Sequence, residues 1–118
     1  MFSASGTAEG MITGLGVDVV EVARIRRAMK NPKFVQRILT ATERGRPLTP
    51  EYVAGRWAAK EAIAKTLEPG LTWQEVEIGT EPGGKPVTAV RGRPYNGLLS
   101  ITHEKSVAVA VAIAFEEP

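Results

Sequence analysis

The stretch Arg56-Trp-Ala-Ala-Lys-Glu-Ala-Ile-Ala-Lys65 lies in the longest helix that the sequence predicts. Before it, Thr49-Pro50-Glu51 combines an N-cap residue, a proline suited to the first helical position and an acid in the first turn. After it, Pro69-Gly70 is a stop signal. The sequence therefore predicts a main helix over residues 50–67.

One face of this helix combines small residues with two charges. At about 100° per residue, a narrow stripe contains Ala54, Ala58, Glu61 and Lys65. We interpret the alanines as clearing space for a ligand, which the carboxylate and the amine would face. The alternative is an ordinary i,i+4 ion pair. On another side, Arg56 and Lys60 interrupt the apolar face, either with their stems along apolar surface or for a functional reason.

Working outward, the chain shows helix signals in its first half and strand signals in its second half. The expected elements of the first half are a strand over residues 12–17, a helix over roughly 19–30 capped by Asp18, a helix opened by Pro32 and a short helix from the capping box Thr40–Glu43. The expected strands of the second half are around Trp73–Ile78, Pro86–Val90, Leu98–Thr102 and Val107–Phe115. This order predicts an α+β domain, with the helices packed on a mainly antiparallel sheet.

The last of these strands alternates bulky residues with four alanines between Val107 and Phe115. We therefore expect both of its faces to be covered, the alanine face by the main helix. Residues 11–118 are predicted to form one domain. Residues 1–10 are small, polar and glycine-containing, so we interpret them as a disordered tail or a cloning remnant, with Met11 as the native start.

The composition restricts the possible metal sites and compartments. There is no cysteine and only one histidine, His103, so thiolate and multi-histidine metal sites are excluded within one chain. Any metal should be hard and oxygen-liganded, such as Mg²⁺. No apolar run is long enough to span a membrane, and we expect a cytoplasmic protein with no membrane partner.

Basic residues are concentrated early in the chain, although the net charge is only +2. The cluster comprises Arg24, Arg26, Arg27, Lys30 and Lys33. Such a cluster favours an anionic partner, either a phosphate, a nucleic acid or an acidic protein. The alternative is a solvated face without a partner.

Three further features are candidates for chemistry, and each has a structural alternative. Asp18 is either a helix cap or, with Glu61, a phosphate oxygen and waters, part of a Mg²⁺ site. Pro82-Gly-Gly-Lys-Pro86 is either a simple turn or a loop that offers backbone N–H groups and Lys85 to a phosphate. His103 is either merely exposed on a turn or functional.

Five blocks, in this order, closely resemble the holo-acyl-carrier-protein synthase family, the small phosphopantetheinyl transferases of fatty-acid synthesis. The blocks are Gly-Leu-Gly-Val-Asp18-Val-Val-Glu-Val-Ala-Arg24, Phe34-Val-Gln-Arg-Ile-Leu-Thr-Ala-Thr-Glu43, the Arg56–Lys65 stretch, Gly84-Lys-Pro86 and Ser100-Ile-Thr-His103. The resemblance covers nearly everything from Met11 onward.

The resemblance implies transfer of 4′-phosphopantetheine from coenzyme A to a serine of apo acyl carrier protein, with release of adenosine 3′,5′-bisphosphate. It implies Asp18 and Glu61 as Mg²⁺ ligands and homotrimers with active sites between subunits. With Lys65 at the pyrophosphate, the expected catalytic residues are Asp18, Glu61 and Lys65. The base that activates the carrier serine is either Glu61 or a water on the metal polarised by Asp18.

The same resemblance assigns residues to the two substrates. Coenzyme A contacts are expected from Arg56, Lys65, Gly84, Lys85, Pro86, Thr102 and His103, with Thr102 standing where many relatives have serine. Whether Arg44 or Arg46 adds a coenzyme contact stays open. The acidic carrier protein is expected to dock on Arg24, Arg26, Arg27 and Met29.

Two rival functions remain. The chain could be a basic binding module for RNA or an acidic protein, although it has no aromatic-rich strand for base stacking and we expect no nucleic-acid partner. The same chemistry could also serve a polyketide or other secondary-metabolism carrier protein.

Overall fold

The computed structural model describes residues 10–117. Its helices are α1 (Val22–Ala28), α2 (Pro32–Ile38) and α3 (Pro50–Thr66), with a 3₁₀ turn at Trp73–Glu75. Its strands are β1 (Ile12–Glu21), β2 (Val76–Thr80), β3 (Pro86–Val90), β4 (Arg93–Pro94), β5 (Gly97–His103) and β6 (Val107–Phe115). No helix within these residues is long and apolar enough to cross a membrane. The predicted tail lies outside the described residues, apart from Gly10.

The strands form two antiparallel three-stranded sheets, in the orders β1-β6-β5 and β2-β3-β4. The helix α3 packs on the first sheet, chiefly against β1 and β6. Thr49 caps α3 by accepting a hydrogen bond from the N–H of Tyr52, and Pro50 opens the helix, as predicted. The α+β class is confirmed, and the predicted single sheet is in fact two sheets.

The alternation in β6 separates two faces of the larger sheet. The predicted packing of the alanine face against α3 is confirmed, because Ala108, Ala110 and Ala112 are fully buried in the same core as the helix. The bulky face is not covered within the chain, contrary to the expectation. The large apolar side chains of β6 on this face are partly exposed, and the two flanking strands expose four more: Leu15, Val17, Val19 and Leu98.

The first strand is longer and the first helix shorter than predicted. Residues 18–21 continue β1, where Asp18 pairs with Ala110 and Val19 with Val109. The β-branched Val19 and Val20 favour this extended pairing over a helical turn. The prediction that Asp18 caps a helix is therefore wrong. The N-cap of α1 is Glu21, whose side chain makes no capping hydrogen bond.

Two smaller predictions also need correction. The capping box at Thr40–Glu43 forms its reciprocal hydrogen bonds, at 2.8 and 3.3 Å, but closes only one turn and starts no helix. Gly45 and Pro47 follow too closely for a second turn. Trp73 lies in the 3₁₀ turn and not in the strand predicted around it.

The crossing of β1 over α3 depends on Gly16. This residue is buried, and a methyl group on it would overlap the carbonyl oxygen of Ala62 and lie 3.1 Å from the Cβ of Lys65. The alanines of the α3 stripe are also packing residues. Ala54 and Ala58 are fully buried in the core, so they do not clear space for a ligand as we had interpreted.

We expect Gly16→Ala to lower the free energy of unfolding by about 1–3 kcal/mol, because β1 must move off the helix to accept the methyl group. Urea unfolding measures this loss. The matched control is Gly79→Ala on β2, where the nearest atom to an added Cβ is 3.9 Å away. Equal stability of the two variants would contradict the close crossing.

Candidate active site

The crossing places a carboxylate of β1 beside an amine of α3. The Lys65 Nζ lies 3.4 Å from Asp18 Oδ1 and donates a 2.7 Å hydrogen bond to the carbonyl of Val17. The Asp18 side chain is 17% exposed and that of Lys65 is 50% exposed, so the pair lies at the solvent boundary. Glu61 precedes Lys65 by one helical turn, on the same side of α3. The fold therefore brings Asp18 and Lys65 into contact and places Glu61 one helical turn before Lys65.

Glu61 is half-buried and lines a cavity of about 130 Å³. The cavity is walled by Lys60, Ala64, Leu71, Thr72, Trp73 and Val76. No residue in the range 10–117 donates a hydrogen bond to the Glu61 carboxylate, so its oxygens are available to a ligand. The described residues contain no cluster of three or more metal-ligating side chains. Two carboxylates completed by substrate phosphate oxygens are nevertheless a donor set that suits Mg²⁺.

A second, cationic cavity of about 220 Å³ lies between the N-terminal half of α3 and the end of β5. Arg46, Arg56 and His103 line it together with Tyr52 and one acidic residue, Glu51. Both guanidinium groups lie over the Tyr52 ring, with Cζ-to-centroid distances of 4.3 Å for Arg46 and 4.7 Å for Arg56. Neither arginine forms an ion pair with a carboxylate among the described residues. The cavity is therefore suited to an anion.

The geometry of Arg56 supports this interpretation. Its Nη2 donates a 2.8 Å hydrogen bond to Thr80 Oγ1. Its Nε is buried and has no hydrogen-bond partner within residues 10–117. A buried donor without a partner is unfavourable, which is a reason to expect an acceptor from a ligand.

The structure separates the two arginines that the sequence left undecided. Arg44 donates hydrogen bonds from Nη1 to the carbonyls of Leu39, at 2.6 Å, and Gln36, at 3.4 Å, at the C-terminal end of α2. Arg46 lines the cationic cavity. Arg46 is therefore the arginine of the two that lines the cavity, and its contact with coenzyme A stays a prediction.

The Gly84-Lys-Pro86 segment does not join this cavity within the chain. Lys85 and Pro86 line a different cavity of about 120 Å³, with Leu98 and Leu99 of β5. The N–H of Gly84, which has a φ of 91°, is already bonded to the carbonyl of Glu81 at 2.8 Å. The turn therefore closes the β2–β3 hairpin, and Lys85 is exposed beside it.

Thr102 and His103 lie on opposite faces of the larger sheet, because successive strand residues alternate. Thr102 pairs with Val109 on the bulky face, whereas His103 contacts the α3 side near Gly55. Thr102 and His103 therefore cannot line the same cavity of one chain. In total, the predicted coenzyme residues fall into separate patches of the monomer.

The predicted carrier-binding residues lie on or just after α1. Arg24, Arg26 and Arg27 are exposed, and Met29 is half-buried against the core. Arg26 Nη2 lies 3.9 Å from a Glu51 carboxylate oxygen, and both side chains are well exposed. The basic face expected from the sequence is present.

A buried ion pair that the sequence did not predict joins Lys60 of α3 to Glu43. Lys60 Nζ donates hydrogen bonds to Glu43 Oε1 at 2.7 Å and to the carbonyls of Ile38 at 2.7 Å and Trp73 at 3.0 Å. The other Glu43 oxygen accepts from the N–H of Ile78 at 2.7 Å. Burial lowers the pKa of Lys60, and the hydrogen bond and charge of Glu43 oppose that shift. In the sequence, the signal for this pair is the position of Lys60 on the apolar side of α3. The lysine interrupts the apolar side because it pairs with the buried Glu43 carboxylate.

Residues 14–114 match the family model of the 4′-phosphopantetheinyl transferase superfamily. The holo-acyl-carrier-protein synthase of Shouchella clausii is 42% identical over 87% of this chain and 97% of its own length. The synthase of an Exiguobacterium species is 40% identical over 91% of this chain and 95% of its own length. The crystal structure of the Bacillus anthracis synthase, in complex with coenzyme A (3′,5′-ADP), is 34% identical, with a TM-score of 0.78 over 92% of this chain and all of that one.

These similarities span nearly the whole chain, and the B. anthracis structure shares its fold. The chain therefore belongs to the 4′-phosphopantetheinyl transferase superfamily and, within it, to the holo-acyl-carrier-protein synthases. The resemblance read from the sequence blocks is confirmed. The predicted enzyme class, a phosphopantetheinyl transferase, is also confirmed.

Proposed function

We propose that the chain transfers 4′-phosphopantetheine from coenzyme A to a serine of apo acyl carrier protein, depends on Mg²⁺ and releases adenosine 3′,5′-bisphosphate. The observation that carries the proposal is the contact of Asp18 with Lys65 at the crossing of β1 and α3, with Glu61 one helical turn earlier on α3. The names of the relatives, and the coenzyme bound in the B. anthracis structure, support the two substrates. The client could instead be a polyketide carrier protein, which no feature of the described residues favours.

In the proposed reaction, the serine oxygen attacks the phosphorus that bears the pantetheine. A bond forms between that oxygen and the phosphorus, and the bond to the bridging pyrophosphate oxygen breaks. The leaving group is adenosine 3′,5′-bisphosphate. Mg²⁺, held by Asp18 and Glu61 and the phosphates, would neutralise charge on the pyrophosphate. Separating the products by chromatography tests the stoichiometry, and a chelator should stop the release of the bisphosphate.

Lys65 contributes the fixed positive charge of the site. Its Nζ is held by the carbonyl of Val17, so the ammonium is oriented before substrate arrives. A preorganised cation close to the leaving oxygen stabilises the charge that develops there. Asp18 keeps that ammonium in place at 3.4 Å.

The serine proton needs an acceptor, for which Glu61 is our proposal. Its carboxylate is half-buried, faces a cavity and has no donor among the described residues. A water oriented by Asp18 is the alternative that the sequence analysis left open. Either group would act as a general base within hydrogen-bond reach of the serine.

The cationic cavity is proposed to bind the 3′-phosphate of coenzyme A. Arg46 and Arg56 present guanidinium donors without carboxylate partners, and His103 adds a further polar group. Planar guanidinium groups match the geometry of phosphate oxygens. Lys85 and the adjacent turn are proposed to contact the rest of the nucleotide.

We propose that the protein is a homotrimer with active sites between subunits, as the family resemblance implies. Within one chain, the Asp18 cluster and the Arg56 cavity have no lining residue in common. The open face of the larger sheet exposes Leu15 by 65%, Val19 by 60% and Leu98 by 54%. In a trimer, neighbouring copies of the chain would bury this face. The Asp18 site of one copy would then lie beside the Arg56 cavity of another. The cytoplasmic location stays a prediction.

An interfacial site predicts complementation between two defective chains. Asp18→Asn and Arg56→Ala should each be nearly inactive at low coenzyme A. Refolded together in equal amounts, they should recover about a quarter of the activity, because random assembly gives that fraction of sites two intact halves. Initial rates before and after mixing measure the recovery.

The matched control mixes Asp18→Asn with Glu61→Gln, which damage the same half of each site. This pair should recover no activity. Distinct affinity tags on the two chains report whether mixed assemblies form. Mixed assemblies of Asp18→Asn with Arg56→Ala that stay inactive would overturn the interfacial site.

A further inference from the structure

Among the arginines of α1, Arg24 contacts an aromatic ring. Its Cζ lies 5.5 Å from the ring centroid of Trp57 on α3. We propose that Trp57 is a positioning residue, which holds the Arg24 guanidinium ready for an acidic group of the carrier protein. This inference rests on the proposed function, and it adds Trp57 to the carrier-binding residues predicted from the sequence.

The guanidinium group of Arg24 is accessible to an acidic group of the carrier protein. It is exposed, and no carboxylate within residues 10–117 forms an ion pair with it. Arg26, by contrast, has Glu51 at 3.9 Å. Arg24 is also absent from the lining of the cationic cavity, so the coenzyme phosphates have other ligands. Its charge is therefore available to the second, acidic substrate.

Trp57 is itself immobilised by neighbouring rings. Phe34 of α2 stacks on it, with centroids 5.7 Å apart and an interplanar angle of 25°. Trp73 of the 3₁₀ turn lies on it at 4.5 Å. Rings from two other elements thus fix the indole of Trp57, which packs partly buried against the core.

The contact with Trp57 leaves the N–H donors of Arg24 available to bind a carboxylate. The cation–π contact uses none of the N–H donors in a hydrogen bond, and no donor of the Arg24 side chain bonds to another residue in the range 10–117. Those donors suit a bidentate contact with a carboxylate. Because the ring restricts the side chain in advance, less conformational entropy is lost when the carrier binds.

The test is steady-state kinetics on the full chain with apo acyl carrier protein and coenzyme A. Trp57→Leu should raise KM for the carrier by about two- to fivefold, the value of a surface cation–π contact. KM for coenzyme A and kcat should not change. The control is Arg93→Ala, which removes an exposed arginine of β4 and should leave all three parameters unchanged.

The decisive comparison repeats Trp57→Leu in an Arg24→Ala background. If Trp57 acts through Arg24, the second substitution adds nothing to the carrier KM. An equal increase in both backgrounds, or an unchanged carrier KM in Trp57→Leu, would overturn the inference. Should Trp57→Leu fail to fold, Trp57→Phe takes its place, with a smaller increase that also vanishes in the Arg24→Ala background. A wild-type chain that transfers nothing would reject the proposed function as well, whereas transfer with an unaltered carrier KM rejects the inference alone.

Discussion

Replacing Glu61 with glutamine is expected to lower kcat for carrier modification by about a hundredfold or more, and Asp18→Asn by a similar factor. Each substitution keeps the shape of the side chain and removes the charge of one of the two proposed carboxylate ligands. The proposed Mg²⁺ site then loses charge, so neutralisation of the pyrophosphate is weaker. Initial rates at saturating substrates and a Mg²⁺ titration measure both effects, and the half-saturating Mg²⁺ concentration should rise.

A matched control is Glu68→Gln, which neutralises an exposed carboxylate just beyond α3 and should leave kcat unchanged. Thermal unfolding should show that Asp18→Asn and Glu61→Gln remain folded, since neither carboxylate belongs to the buried core. A fully active Asp18→Asn enzyme would refute the metal assignment.

The largest expected loss of stability comes from Lys60→Met. Lys60 and Glu43 are side chains of 2% and 0% exposure joined at 2.7 Å, so removing the amine leaves a carboxylate unpaired in the interior. Breaking a buried pair in this way costs about 3–5 kcal/mol. Urea unfolding of Lys60→Met should show a fall of that size in the free energy of unfolding.

Two comparisons separate the charge effect from simple loss of packing. In the double variant Lys60→Met with Glu43→Gln, the amide oxygen can still accept a hydrogen bond from the N–H of Ile78, and no unpaired charge is left in the interior. The double variant should therefore lose less free energy of unfolding than Lys60→Met alone. The surface pair of Arg91 and Glu75, at 2.8 Å, is the control, and Glu75→Gln should lower the free energy of unfolding far less than Lys60→Met does. A double variant less stable than Lys60→Met would contradict the buried-charge explanation.

Local signals predicted the helices and strands that depend on neighbouring residues. Thr49-Pro50-Glu51 set the start of α3, and the alternation from Val107 to Phe115 set both β6 and the face that packs on the helix. The boundary between β1 and α1 was missed, because pairing with β6 keeps residues 18–21 extended. Such tertiary pairing overrides the capping preference of an aspartate.

The candidate site was predictable from residue types and the family resemblance, but its arrangement was not. Asp18 and Lys65 are 47 positions apart in the chain, and only the glycine-permitted crossing explains their contact. The alanine stripe was misinterpreted, since small residues serve close packing as readily as ligand access. The choice between Arg44 and Arg46 required the carbonyls at the end of α2.

The most direct test of the central proposal is the mass of apo acyl carrier protein after incubation with the chain, coenzyme A and Mg²⁺. The proposed function predicts that the carrier gains the mass of one phosphopantetheine, and that a carrier with its acceptor serine changed to alanine gains none. An unchanged mass across several acidic carrier proteins, with the enzyme folded and Mg²⁺ present, would contradict it.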